Sequence, residues 1–344
     1  MHKQLLNEIE VGFELEPDGP ILIKASDNTD PTRPDMEFVR TRQGANQTIY
    51  LPGSSLKGAF RAHYEKLVRS VPGPNRATRQ KEGLWACNPL ARSEAEACGH
   101  YLDKVGRKWP AAQIFRESCF VCQLFGNNSV ASHLRISDAL PTTEPQVDPN
   151  YDPNPNRHTE QRNGVAIDRL FGSVAVGPFQ FEVTTAGRFT TTLQVRNFTV
   201  AHLGLLGLVL RDLEQQRLLL GFGKSRGLGR VRLHYKSVTV RYPMANLSDS
   251  QLVLGSFSEV ANGVYGIGAL ASESVRGEYG LQAEDRVRGP YSLGPGAGTI
   301  EQAGLLEYDA LDGVSLTIKN EIEIKAFWRK CAEAWQRKAG GRVA

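Results

Sequence analysis

No stretch of this 344-residue chain stays apolar for the ~18 residues that mark a membrane-spanning helix. The opening Met1-His2-Lys3-Gln4 also lacks the apolar core of a secretory signal, so a cytoplasmic address is expected, with no membrane partner. Charge of one sign is in short supply: 41 Lys and Arg stand against 37 Asp and Glu, and a net +4 is too small to mark a nucleic-acid binder by its sum. Cysteine is scarce as well, five in all, and a cytosolic chain has little use for disulfides. What is present, 40% hydrophobic and 23% charged residues, is ordinary globular composition, enough for one elaborated domain or two. No internal repeat is evident.

The common nucleotide motifs are missing too. Four glycines punctuate Gly221-Phe222-Gly223-Lys224-Ser225-Arg226-Gly227-Leu228-Gly229. A Walker A loop would need glycine where Leu218 stands, and the dinucleotide fingerprint would need it at Arg226. What remains is a bare-backboned loop bearing Lys224, Arg226 and Arg230, suited to a polyanion lying along its amides. Taken alone, a flexible hairpin turn explains it equally well.

Ile9, Val11, Phe13 and Leu15 alternate with Glu10, Gly12, Glu14 and Glu16, the period of a half-buried strand. A polar stretch from Ser26 to Gln47 reads as a long loop. Leu56, Phe60, His63, Tyr64 and Leu67 fall at helical spacing behind Pro52-Gly53-Ser54-Ser55, with Ser54 or Ser55 as N-cap. Residues 57–80 are basic apart from Glu65, consistent with a binding patch or a solvated helix face.

Residues 73–165, rich in Pro, Asn and Asp, read as a large insertion that could bind zinc. Alternating segments at 177–185 and 188–198 flank Ala186-Gly187 as a hairpin, 200–216 is an apolar helix, and 229–241 is a closing strand. Residues 242–344 form a C-terminal elaboration ending in a helix at 321–338. Without the insertion the order is strand, helix, strand, strand, helix, strand. This predicts an α+β fold with a ferredoxin-like, RNA-recognition-type core, an antiparallel sheet with helices built from 1–72 and 166–241. Arg232, His234 and Lys236 share one face of the closing strand, so one side of the sheet is expected to be basic.

Cys87, Cys98, Cys119 and Cys122 cluster within 36 residues, and Cys331 stands apart. The Cys119-Phe120-Val121-Cys122 pair with two further cysteines can close a tetrahedral thiolate site for structural zinc, with His100 able to replace Cys98. Buried unligated thiols, or a redox pair at Cys119 and Cys122, are the other readings.

Three stretches in order resemble the RAMP superfamily of CRISPR effector proteins: Pro52-Gly53-Ser54-Ser55-Leu56-Lys57-Gly58, Gly164-Val165-Ala166-Ile167-Asp168-Arg169-Leu170-Phe171-Gly172, and the glycine loop. The middle stretch looks like the one preceding the protruding hairpin, or thumb, of backbone subunits. The resemblance implies a subunit that polymerises along guide crRNA beside other CRISPR effector subunits and reaches its target nucleic acid by base pairing. A type IV subunit is suggested first, by the long insertion and C-terminal segment, and a Csm-like one second.

The implied phosphate contacts are Ser54, Ser55, Lys57 and Arg61 at the helix start, Gly223, Lys224, Ser225, Arg226, Gly227 and Arg230 at the loop, and Arg169. A helix amino terminus favours anions independently of any family. In Csm-like relatives an aspartate before the Pro-Gly-Ser-Ser helix serves metal-dependent RNA cleavage. Asp27, Asp30 and Asp35 stand there, with Asp30 and then Asp35 the candidates and a divalent metal needed only in that case. Turn aspartates explain them more simply.

Two other functions fit parts of the chain. Ser54-x-x-Lys57 with Ser26-Asp27-Asn28 matches two motifs of penicillin-binding acyl enzymes, but in the wrong order. A non-oligomerising single-stranded RNA binder would share the basic loop and have no use for a thumb.

Overall fold

In the computed structural model, alternation buries Ile9, Val11, Phe13 and Leu15 completely, which makes β1 (Glu8–Pro17) the centre of the main sheet. The structure describes residues 4–25, 33–71, 84–94, 96–142, 151–249, 251–261, 263–289 and 307–340. A small hairpin, β2 (Arg40–Gln43) and β3 (Asn46–Ile49), leads into helix α1 (Gly53–Arg69). Helices α2 (Cys98–Val105), α3 (Ala111–Glu117) and α4 (Phe120–Phe125) follow, then short strands β4 (Leu134–Ile136) and β5 (Leu140–Pro141).

A two-stranded hairpin, β6 (Thr159–Ile167) and β7 (Val174–Thr184), precedes β8 (Phe189–Arg196), α5 (Val200–Glu214) and β9 (Val231–Tyr242). The remainder holds β10 (Asn246–Ser248), β11 (Gln251–Leu254) and β12 (Phe257–Val260) in one small sheet. After β13 (Gly263–Tyr265) come α6 (Ile267–Leu270) and α7 (Glu273–Tyr279), then its partner β14 (Arg286–Arg288). Strands β15 (Glu307–Asp309) and β16 (Gly313–Ile318) and helix α8 (Glu321–Lys338) complete the described chain.

The main sheet runs β15-β16-β9-β1-β8-β4, with β5 also on β8. Its core succession β1, α1, β4, β8, α5, β9 places the fourth strand beside the first, then the third, then the second, all antiparallel, which is the ferredoxin-like arrangement. The expected fold class holds.

The second core strand, however, is β4, not residues 177–185. Strand β8 is paired by β1 on one edge and by β4 and β5 on the other, so β7 has no place in the sheet and forms a separate hairpin with β6. Ala186-Gly187 is the corner between the two structures, and 164–172 is the outer half and tip of the hairpin itself. The sheet thus draws strands from 73–165 and, through β16, from 242–344.

Helix α8 is bound tightly into the fold. Asn320 caps it, accepting from the Ile322 and Glu323 amides at 2.9 and 3.4 Å, and Glu321, Glu323, Arg337 and Lys338 match the helix dipole. It packs on α5 at Gly204, where a methyl group would overlap the Cys331 carbonyl.

The face of the sheet away from the helices is not free basic surface. Register places Glu14 opposite His234 and Glu16 opposite Arg232, so the carboxylates of β1 lie among the cations of β8 and β9. Lys236 reaches Glu14 at 3.3 Å, His234 reaches Glu16 at 2.9 Å, and Arg196 reaches Glu8 at 2.7 Å. Arg232 turns to Asp18 at 2.6 Å. This corrects the basic-face expectation: the charges neutralise one another across strands.

Candidate nucleic-acid interface and metal centre

The glycine loop is fastened to the segment that follows β1. Phe222 N donates to Leu22 O at 2.8 Å, and Gly229 N donates to Pro20 O at 2.9 Å. Gly221 (φ 76°) and Gly229 (φ 95°) lie in the left-handed region, and a methyl group on either would overlap a carbonyl, of Leu22 or Leu220. Only glycine fits at both ends. Between them Lys224–Arg226 form a 3-10 turn whose three side chains are exposed, as is Arg230 just beyond.

At the apex Arg226 joins the loop to the hairpin. Its guanidinium lies over the Phe179 ring of β7, 5.8 Å from the centroid, and over Phe222 at 5.7 Å, while Lys24 Nζ lies 6.0 Å from the centroid of Phe222. Gly164 is Phe179's cross-strand partner on β6, and a side chain there would overlap the ring.

Farther out, Asp168 Oδ1 accepts from the Leu170 and Phe171 amides at 2.7 and 2.9 Å, closing the tip. Leu170 and Phe171 are left 83% and 79% exposed, with Arg169 exposed beside them.

The start of α1 differs from expectation. Pro52 holds the cap position, and the Gly53 amide donates to Asp138 Oδ1 at 2.8 Å, so neither Ser54 nor Ser55 is the N-cap. Both serines are exposed on the first turn. Lys57 and Arg61 turn inward. Lys57 Nζ donates to Ser132 Oγ at 2.8 Å and to Leu134 O at 3.1 Å, and burial, with Arg61 and Arg135 nearby, lowers its pKa. Arg61 donates to Glu65, Gly126 O and Cys122 Sγ.

Both side chains, expected at phosphates, are engaged here by protein groups on and beside α4 and β4. Helix start and glycine loop are linked by backbone bonds from Phe222 to Leu22, Val39 to Ile23 and Tyr50 to Val39.

Asp35 accepts from the Gln180 amide at 2.7 Å, fastening its stretch to β7. Asp27 and Asp30 lie outside the described residues.

The four clustered cysteines meet. Cys87, Cys98, Cys119 and Cys122 are all buried, their sulfurs lie within 4.8 Å of one another, and together they can hold a metal ion. Among the described residues this is the one group of three or more candidate ligands, and His100 is not part of it. Two sulfurs accept backbone N–H bonds: Cys98 Sγ from Cys119 N at 3.3 Å, and Cys119 Sγ from Cys122 N at 3.4 Å. Hydrogen bonding, from Cys119 first, lowers the Cys87 and Cys122 thiols, while burial pushes Cys119 up. Four converging thiols with amide donors to their sulfurs suit a tetrahedral divalent ion.

A family model described as RAMP superfamily matches residues 14–232. The chain belongs to the RAMP superfamily. No curated protein matches it. Among solved structures, one similar chain comes from a structure titled Type IV-B CRISPR Complex. It is 17% identical, with a TM-score of 0.42, and the match covers 66% of this chain and 90% of that one. Among the described residues no helix is long and apolar enough to cross a membrane.

Sequence reasoning missed Phe179, Phe222 and Lys24 as parts of the surface. Phe222 was visible as the one aromatic inside the glycine motif. The other two are brought in only by the hairpin register and the bonds to Leu22.

Proposed function

We propose that this chain is a backbone subunit of a CRISPR ribonucleoprotein effector complex, which oligomerises along guide crRNA, holds it by its phosphates and presents its bases to target nucleic acid. Membership of the RAMP superfamily supports the class. The observation that carries the reading is the placement of the exposed Arg226 over the half-buried rings of Phe179 and Phe222, which joins the glycine loop to the middle of the hairpin in one cationic and aromatic surface. A guanidinium held over two rings is pre-ordered for the fork of a phosphate. Lys224, Ser225 and Arg230 extend that surface, Gly223 and Gly227 keep it free of bulk, and Ser54 and Ser55 offer a second helix-terminal contact.

The exposed Leu170 and Phe171 at the hairpin tip suit insertion beside an unstacked base, with Arg169 toward the backbone. Growth along RNA requires a head-to-tail contact, with different patches on the two copies. The long segments 73–165 and 242–344 favour the type IV kind. In this reading Asp35 is occupied by the Gln180 amide of β7. The four thiolates hold structural zinc, which supplies cross-linking of the start of α4, the extended segment at Cys87 and the start of α2.

The test is native mass spectrometry of the purified chain with single-stranded RNAs of increasing length. Stepwise addition of copies as the RNA lengthens supports the reading. A constant one-to-one complex would reduce the protein to a general RNA binder.

A further inference from the structure

We propose that Arg61, Glu65 and Arg69 on α1 form an ionic brace around the four-cysteine centre, offsetting its charge and tying the metal to the helix whose first turn carries Ser54 and Ser55. This rests on the metal reading above. The three side chains stand at successive i, i+4 positions on one face of α1. Arg61 Nη2 donates to Cys122 Sγ at 3.5 Å, Arg61 Nη1 to Gly126 O at 3.1 Å, and Arg61 Nε to Glu65 Oε1 at 3.1 Å. Arg69 Nη2 donates to Glu65 Oε2 at 3.1 Å and to Cys87 O at 2.5 Å.

One arginine therefore grips the Cys119–Cys122 turn and its exit, the other grips the segment at Cys87, and Glu65 spaces the two. Four thiolates around a divalent ion leave about two negative charges in a buried site. Arg61 is the cation placed against one of the sulfurs, and the Glu65 side chain that orients it is only 9% exposed. A positive N–H donor on a ligating sulfur stabilises the thiolate, and removing such an outer partner lowers metal affinity roughly 10- to 100-fold. Arg61, taken from sequence as a phosphate ligand, is on this geometry a positioning residue for the metal.

The test loads full-length protein with Co²⁺ and follows the thiolate charge-transfer and d–d absorption, with affinity measured by chelator competition. Wild type should give a tetrahedral four-sulfur spectrum. Arg61→Met should bind cobalt about 10- to 100-fold more weakly with the same band shape, and Arg61→Lys should recover part of the loss. An exposed control, Arg107→Met, should match wild type.

Full cobalt affinity in Arg61→Met would overturn the brace and leave the metal reading intact, whereas no cobalt spectrum in wild type would overturn both. Should Arg61→Met fail to fold, hydrogen exchange on wild type decides. Chelation should deprotect amides of residues 60–69 while leaving 189–196 protected. Unchanged exchange in α1 would refute the coupling.

Discussion

Arg226 lies 5.8 Å from the ring centroid of Phe179, so the glycine loop and the hairpin, some 45 residues apart in sequence, form one surface. Because guanidinium and ring hold each other in place, Phe179→Leu should weaken RNA binding while leaving charge untouched. The expected loss is about 1 kcal/mol, roughly fivefold in Kd by fluorescence anisotropy, in line with an exposed cation–π contact. Equal affinity would mean that Arg226 needs no ring beneath it.

The loop glycines should not be interchangeable. Gly229→Ala sets a methyl group against the Leu220 carbonyl at φ 95° and should cost about 2 kcal/mol or more by denaturant unfolding. Gly227→Ala, at φ 85° with open space around it, should cost about 1 kcal/mol from the backbone alone. Equal stabilities would deny the close approach to Leu220.

Thiol chemistry reports on the metal centre. With metal bound, the four clustered cysteines should resist a thiol-reactive dye, and chelation should release them while lowering Tm. Affinity should also fall as pH drops, because protons compete for the sulfurs. Dye uptake that ignores the chelator would count against a bound ion.

His202 should shape the acid limb of stability. Burial pushes its pKa down to about 3, and its ring is held between Phe120 O at 3.1 Å and Thr199 Oγ at 2.9 Å. The carbonyl can only accept, so Nε2 carries the proton and the neutral ring accepts from Thr199. The unfolded chain takes up a proton near pH 6.5 and the fold does not, so stability present above 6.5 is lost as pH falls toward 3, by up to about 1.4 kcal/mol per pH unit.

Asp285, raised to about 6 by burial against the hydrogen bonds from the Gly268 and Val200 amides, has the opposite sign. It stabilises the fold as pH falls from about 6 toward 4. His202→Gln should therefore gain stability relative to wild type steadily between pH 6.5 and 4, as measured by urea unfolding. A pH-independent difference would mean that His202 is charged in the fold.

Much of this was legible in the sequence, and the parts that were not share one cause. Strand β1, the apolar faces of α1 and α5, and β9 follow from periodicity, because each buries a regular row against the same core. The cysteine set followed from count and spacing. Strand β4 has three residues and no periodicity to detect, so its place in the sheet was taken by a longer alternating segment that in fact belongs to the hairpin. The partners of Lys57 (Ser132 and the Leu134 carbonyl), of Arg61 (Glu65, the Gly126 carbonyl and Cys122) and of the β9 cations were not legible, because which group lies opposite a cation is set by register and packing, a tertiary fact. Composition cannot distinguish an arginine aimed at Cys122 from one aimed at phosphate.

The most direct measurement is a salt titration of RNA affinity for wild type and for Lys224→Glu/Arg226→Glu, on two unrelated sequences. We predict log–log salt slopes that are shallower in the variant by about 1 or more, with both sequences losing affinity equally, since released counterions drive phosphate contacts. An unchanged slope, or a loss confined to one sequence, would contradict a guide strand held by its phosphates at the glycine loop.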